Sequence, residues 1–130
     1  MFRFINPLPF VSDLERSRRF YAEVMGLAVE RCEGDVCIFA GGFAIHQGEA
    51  LQKTIWGDVE MPAGDYGQRN LLLYFEHDDI DAAFAAIAPH VRLIHAVERQ
   101  AWGQRVFRFH DPDGHAVEVG EPMEAMPANL

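Results

Sequence analysis

The order of predicted secondary-structure elements repeats along this sequence, and this repeat constrains the fold more than any other feature. A strand, a helix and three further strands are indicated over residues 1–50, and again over residues 69–121. Few residue identities match between the halves, so only the order of elements repeats. A unit of four strands and one helix buries one sheet face against its helix. The other face must meet something else, and ligands commonly bind in such concave, partly apolar spaces.

The first half contains a well-marked amphipathic helix. Residues 4–11 indicate a strand with an exposed edge, because Pro7 and Pro9 cannot donate to a ladder. Ser12 and Asp13 are typical of a helix start, apolar residues then recur at helical spacing, and Gly26 is typical of a helix end. Three short strands are predicted next, over residues 27–32, 36–40 and 43–47.

The second half repeats this pattern. Residues 70–76 are strongly apolar, and a helix is predicted from Asp79 to the residue before Pro89, which ends it. Strands are predicted over residues 91–97, 104–109 and 115–120, with a tight turn at Asp111-Pro112-Asp113-Gly114. Residues 51–68 show no clean period and are predicted to be an irregular loop, and residues 123–130 a loose tail. The prediction is therefore one domain, residues 1–122, made of two modules.

Strand alternation assigns roles within residues 104–109. Phe107 and Phe109 share one face, which we expect to pack on a helix. Arg108 then points toward the cavity, where it can bind a carboxylate or phosphate in bidentate fashion. The alternative is an exposed arginine at a strand edge. We expect His77, His90, His95 and His115 to be surface residues.

Composition excludes several classes of partner. The formal net charge of −9 repels nucleic acid and anionic membranes, but it suits a cationic small molecule or simply solubility. The first residues lack the pattern of a signal peptide, and no apolar stretch is long enough for a bilayer span, so we expect a cytoplasmic protein. Cys32 and Cys37 flank a plausible hairpin tip; we expect reduced thiols there, with a disulfide or redox pair as the alternative.

Three segments of the sequence resemble the vicinal oxygen chelate superfamily, which includes glyoxalases, bleomycin-resistance proteins and dioxygenases. They are residues 10–27, with Val11-Ser12-Asp13-Leu14; residues 73–80, with Leu73-Tyr74-Phe75-Glu76; and residues 102–119, with His110-Asp111-Pro112-Asp113-Gly114. With the strand order, the resemblance covers nearly the whole chain. It implies an α+β fold of two βαβββ modules, in which mixed, curved sheets enclose a cavity. It also implies a homodimer, because many relatives build each pocket at a subunit interface.

The resemblance also implies positions for a metal. In metal-using relatives, histidine and glutamate project from four strands into the cavity; matching by motif gives Asn6, His46, Asn70 and Glu118 here. His46 and Glu118 are good ligands for zinc, iron, nickel or manganese, whereas the two amides are weak donors better suited to calcium or magnesium. A catalytic site usually has about three protein ligands. We therefore expect no cofactor, with a divalent metal (Zn, Ni, Fe, Mn or Mg) on His46 and Glu118 as the alternative.

Three functional hypotheses follow. The first is a metal-free protein that binds a small molecule in a barrel cavity, where Asn6 and Asn70 hydrogen-bond the ligand. The second is a metal-dependent lyase, isomerase or dioxygenase that uses His46 and Glu118, although the asparagines disfavour glyoxalase I activity itself. The third is a metal-free enzyme in which His46 or Glu118 is the base; a structural His46–Glu118 ion pair is the alternative. Further candidate ligand-binding residues are Trp56, Tyr74, Trp102 and Arg108.

Overall fold

The computed structural model of the 130-residue chain describes residues 1–58, 60 and 65–125. The chain divides into two compact units, Met1–Tyr66 and Gly67–Leu130. Each unit contains one βαβββ module, so the predicted repeat and the α+β class are confirmed. The described strands form two open four-stranded sheets and no closed barrel.

The first unit consists of one mixed sheet and two helices. Its elements are β1 (Phe10–Val11), α1 (Leu14–Arg19), β2 (Val29–Glu33), β3 (Val36–Phe39), β4 (Ala44–Gln47) and α2 (Gly48–Trp56). The strand order is β1-β4-β3-β2, with β1 parallel to β4 and the other pairs antiparallel. Tyr21 is fully buried and its ring contacts those of Phe39 and Phe43, which forms the aromatic part of this core.

The first helix begins and ends where the sequence predicts. The Asp13 side chain accepts a hydrogen bond from the Arg16 amide, and Gly26 has a φ of 78°, a left-handed conformation that glycine adopts without strain. Between these points the α-helical turns change into a π-helical segment, Phe20–Val24. The apolar spacing alone does not reveal this change, because Phe20 and Tyr21 face the core in either form.

Two predictions for the first unit were wrong. The predicted strand over residues 4–11 is reduced to Phe10–Val11, because Pro7 and Pro9 interrupt the donors that a longer ladder needs. Where irregular chain was predicted, residues 48–56 form α2, which the Gln47 side chain caps by accepting from the Ala50 amide. Of the remaining predicted loop, residues 59 and 61–64 lie outside the described part.

The second unit has the same topology. Its elements are β5 (Leu72–Glu76), α3 (Ile80–Ile87), β6 (Arg92–Arg99), β7 (Arg105–His110) and β8 (Ala116–Gly120), in the sheet order β5-β8-β7-β6. Strand β5 is parallel to β8, and the other pairs are antiparallel. At the predicted turn, Asp111 Oδ1 accepts from the amides of Asp113 and His115, each at 2.9 Å, and this confirms the turn.

The helix α3 covers one face of the second sheet. Phe84 of α3 contacts Phe107 edge-to-face, and Phe107 stacks on Phe109, as the strand alternation predicts. Arg105 pairs with Asp81 of the helix at the margin of this layer. No helix in the described residues is long and apolar enough to cross a membrane.

The end of the second unit is more ordered than predicted. Residues Met123–Ala125 form a short 3-10 turn, and the Met123 amide donates to Glu76 Oε2 at 3.1 Å. Residues 123–125 are therefore ordered where a loose tail was predicted. Residues 126–130 lie outside the described part.

Candidate functional site

The side of the second sheet that faces away from α3 carries a concentration of polar groups; we call it the α3-distal face. Its residues come from alternate positions of paired strands. Tyr74 of β5 lies opposite Glu118 of β8, and Glu118 lies opposite Arg108 of β7. Two residues along these strands, Leu72 of β5 and His110 of β7 lie on either side of Ala116 of β8.

Arg108 is the centre of a hydrogen-bonded cluster on this face. Its Nε donates to Glu118 Oε1 at 2.7 Å, its Nη1 is 2.9 Å from His95 Nε2, and its Nη2 donates to Gln100 Oε1 at 3.2 Å. Glu118 is only 5% exposed, so its charge requires a partner. Arg108 therefore points away from the helix, as predicted, and supplies that partner.

His95 is held on both ring nitrogens. Its Nε2 lies 2.9 Å from Arg108 Nη1 and 3.6 Å from Glu98 Oε1. Its Nδ1 lies 2.8 Å from the Ala96 carbonyl oxygen. It is half-buried, whereas the sequence predicted a surface residue.

Gln104 organises a second polar network on the same side of the sheet. This side chain is 2% exposed; its amide nitrogen donates to the Tyr74 hydroxyl at 2.9 Å and to the Glu121 carbonyl at 2.7 Å. Its oxygen accepts from Trp102 Nε1 at 2.9 Å. Both hydrogens of the amide and its oxygen are used, so Gln104 holds Tyr74 and Trp102 in fixed positions.

Tyr74 is a weak acid in this setting. Burial raises the pKa of its phenol to about 12, helped by the hydrogen bond to Glu76 and by the negative charges of Glu76 and Glu118, against a smaller lowering by Gln104. The phenol donates to Glu76 Oε2 at 2.5 Å. Tyr74 is therefore a hydrogen-bonding group at neutral pH rather than a base.

A groove of about 590 Å³ lies beside these networks within the second unit. It is lined by Arg69, Asn70, Leu71, Leu72, Ile94, His110, Gly114 and Ala116. Leu72 and Ile94 are each 45% exposed, which is high for aliphatic side chains. The Arg108–Glu118 pair is two residues along the strands from His110 and Ala116. Apolar walls next to ordered polar groups are typical of small-molecule sites.

The structure brings together several of the predicted site residues. Tyr74, Arg108 and Glu118 share the α3-distal face, and Trp102 joins them through Gln104. Asn70 lines the groove, but it precedes β5 instead of opening it. The residue opposite Glu118 is Tyr74, so the motif-based placement of Asn70 in the strand was wrong.

The other predicted site residues belong to the first unit. His46 is half-buried on β4, with Nδ1 2.9 Å from the Gln47 carbonyl oxygen, and it lies opposite Phe10 of β1. Asn6 precedes β1, and its side chain donates to the Pro7 carbonyl at 2.8 Å, so its placement in a strand was also wrong. Trp56 ends α2 and is 59% exposed.

The residues of the second unit do not fit the divalent metal that the resemblance implies. Glu118 is the only carboxylate in the predicted ligand set, and the guanidinium of Arg108 already neutralises it. A second cation would have to displace Arg108 from the carboxylate, His95 and Gln100 together. In the described residues, no three His, Cys, Asp or Glu side chains are grouped to hold a metal ion.

Sequence reasoning missed several residues of this site. His95 and His110 were not selected because a strand histidine has no local signal, and Gln104 because a buried amide is recognised only by its partners. Arg69 lies just before the strand predicted over residues 70–76, and no local signal marked it. His115 was predicted to be exposed but is 5% exposed, because the turn folds it inward.

The sequence profile of the glyoxalase-like domain matches residues 4–124. The chain therefore belongs to the glyoxalase-like domain family, within the glyoxalase, bleomycin-resistance and dioxygenase superfamily. The predicted family is confirmed, and so is the fold.

Three similar proteins illustrate the relationship. A crystal structure of a protein of unknown function from Agrobacterium tumefaciens is 58% identical, with a TM-score of 0.89 over 94% of this chain and 95% of that one. A glyoxalase/bleomycin resistance protein/dioxygenase from Nocardioides is 20% identical, with a TM-score of 0.72 over 100% and 91% of the two chains. YraH of Bacillus subtilis, an uncharacterised protein, is 24% identical over 84% of this chain and 90% of its own.

Proposed function

We propose that this chain binds a small organic molecule in the groove of the second unit and needs no resident divalent metal to do so. The observation that carries the proposal is the groove itself. Its volume of about 590 Å³ lies within the range of about 300–1,000 Å³ typical of ligand pockets. Exposed Leu72 and Ile94 supply apolar wall, and Arg69, Asn70 and His110 supply the polar groups of the lining.

The Arg108 cluster supports the metal-free part of the proposal. A metal-dependent lyase, isomerase or dioxygenase would use His46 and Glu118 as ligands. Glu118 is nine-tenths buried and already has a cationic partner that is held by two further side chains. The cluster acts as a fixed wall beside the groove, and its buried charges are balanced without a metal.

Binding of 2-naphthamide, a neutral flat probe, tests the proposal on full-length protein dialysed against a chelator. A probe of this size should bind weakly but saturably, with a Kd on the order of 1 mM, as ligand efficiencies of about 0.3 kcal/mol per heavy atom suggest. Leu72→Asp should abolish binding because it places a charge in the apolar wall. Ile55→Asp is the matched control, since Ile55 is an exposed aliphatic residue of α2 that does not line the groove.

Elemental analysis of the same protein samples distinguishes metal-free binding from the metal-dependent alternative. We expect less than about a tenth of an equivalent of any divalent transition metal, unchanged by His46→Ala or Glu118→Gln, and probe binding that added metal does not alter. One equivalent of metal that both variants lose, or binding that appears only with metal, would favour the metal enzyme. Equal binding to wild type and Leu72→Asp would remove the groove from the proposal.

A further inference from the structure

We infer that the ligand of the groove is a small organic monoanion, whose acid group is bound at the end formed by Arg69, Asn70 and His110. This inference rests on the proposed function and adds the chemical class of the ligand. The groove lining contains one arginine and one histidine and, among the described residues, no carboxylate. The net charge of −9 would favour a cationic ligand, but it is the sum over the whole chain. The charge that a bound ligand meets is that of the residues that line the groove.

The polar groups of this end lie beside one glycine in the groove lining. Asn70, His110 and Gly114 all line the groove. His110 lies opposite Ala116 in the antiparallel pair, and its Nδ1 is 3.4 Å from the Gly114 carbonyl oxygen. Gly114 has no side chain to fill the space beside His110.

The segment that carries Arg69 is held against this turn. The Gly67 amide donates to the Asp113 carbonyl at 3.0 Å, and any side chain at Gly67 would overlap the Gly114 carbonyl. Two residues later, Arg69 has a φ of 57°, the only positive φ of a non-glycine residue in the described chain. Such strain persists where surrounding structure imposes it, often at binding sites. Arg69 is one of the residues that line the groove.

The donors at this end are uncommitted. Neither the Arg69 guanidinium nor the Asn70 amide makes a hydrogen bond or ion pair with any described residue. By contrast, Arg105 pairs with Asp81 and Glu121, and Arg108 with Glu118. A guanidinium presents parallel N–H donors that match a carboxylate, and the Asn70 amide can add a single hydrogen bond. One arginine neutralises one negative charge, which gives a monoanion with an apolar body along Leu72 and Ile94.

The test compares 2-naphthoate with 2-naphthamide, which share one ring system and differ in charge, by isothermal titration of full-length protein. We expect naphthoate to bind about tenfold tighter, in line with a charge-assisted hydrogen bond at a partly exposed site. Arg69→Gln should abolish this difference, so that the two probes bind with the same affinity. Arg99→Gln is the control, because Arg99 is an exposed arginine at the opposite end of β6, outside the groove lining.

Each other outcome has a defined meaning. If naphthamide binds as tightly as naphthoate, or 2-naphthylmethylammonium binds tighter than both, the anion inference is overturned while the groove remains a ligand site. A tenfold preference that persists in Arg69→Gln would overturn the assignment of the acid group to this end. If none of the three probes binds, because a second copy of the chain or other structure covers the groove, both the inference and the proposed function fail.

Discussion

Arg108 donates through Nε to Glu118 Oε1 over 2.7 Å, and this pair joins two neighbouring strands at the middle of the second sheet. Glu118 is 5% exposed, whereas the Arg108 side chain is 25% exposed. The carboxylate therefore depends on the arginine more than the arginine depends on the carboxylate. Removing Arg108 alone should therefore lower the stability of the protein, whereas removing both charged side chains should not.

Replacing Arg108 with Met should lower the free energy of unfolding by about 2 kcal/mol, below the 3–5 kcal/mol typical of fully buried pairs because Arg108 is partly solvated. Urea denaturation measures this loss. The double variant Arg108→Met, Glu118→Leu should recover most of it, since no unpaired buried charge remains. Arg92→Met, at an exposed position of β6, should change stability by less than about 0.5 kcal/mol. Equal losses in the single and double variants would show that an unpaired Glu118 charge is not the cause of the loss.

Tyr74 should titrate with a pKa of about 12, well above the ordinary value of 10.0. Because the folded-state pKa is raised, its contribution to stability is complete below pH 10 and is lost as the pH rises from about 10 to 12. The tyrosinate difference spectrum between wild type and Tyr74→Phe isolates this group from Tyr21 and Tyr66. Glu76→Gln should shift the titration toward pH 10, because it removes the charge that the phenolate would face. An unshifted titration in wild type would contradict the hydrogen-bonded, partly desolvated phenol.

Gly120→Ala should disrupt the Gln104 network. A Cβ at Gly120 would lie 2.5 Å from Gln104 Nε2, and Gln104 has little freedom because Trp102, Tyr74 and Glu121 bind it. We expect a loss of about 1–3 kcal/mol in urea denaturation and a change in Trp102 fluorescence. In a Gln104→Ala background the same glycine change should cost less than about 0.5 kcal/mol, because the clashing atom is gone. An undiminished cost in that background would place the clash elsewhere.

The order of elements was predictable because each carries a local signal. Asp13 and Asp79 cap the N-termini of α1 and α3, and the turn from Asp111 to Gly114 is determined by four consecutive residues. The direction of Arg108 was also predictable, since strand alternation has a fixed period of two. Such signals depend only on neighbours in sequence, so they can be recognised without knowledge of the tertiary structure.

The contents of the site were harder to predict because they depend on register between distant strands. The position of Tyr74 opposite Glu118 depends on the β5–β8 register, and His95 reaches Arg108 only through an irregular pairing of β6 with β7. Helix α2 was missed because it follows β4 directly and is capped by Gln47, which is not one of the residues that usually cap a helix. Gln104 could be identified only once Trp102, Tyr74 and the Glu121 carbonyl were near it.

The disulfide between Cys32 and Cys37 corrects the sequence prediction of reduced thiols; the two residues lie opposite each other in the β2–β3 hairpin, with 4.1 Å between their Cα atoms. For a sequence separation of 5, the loop-closure entropy of the unfolded chain corresponds to about 2 kcal/mol. Dithiothreitol should therefore lower the Tm of wild-type protein but not that of Cys32→Ala. Each protein is compared with itself, with and without reductant, so the effect of the alanine on packing cancels. Alkylation under denaturing, non-reducing conditions should leave both wild-type cysteines unmodified. If both are alkylated in protein purified without reductant, the prediction of two free thiols stands after all.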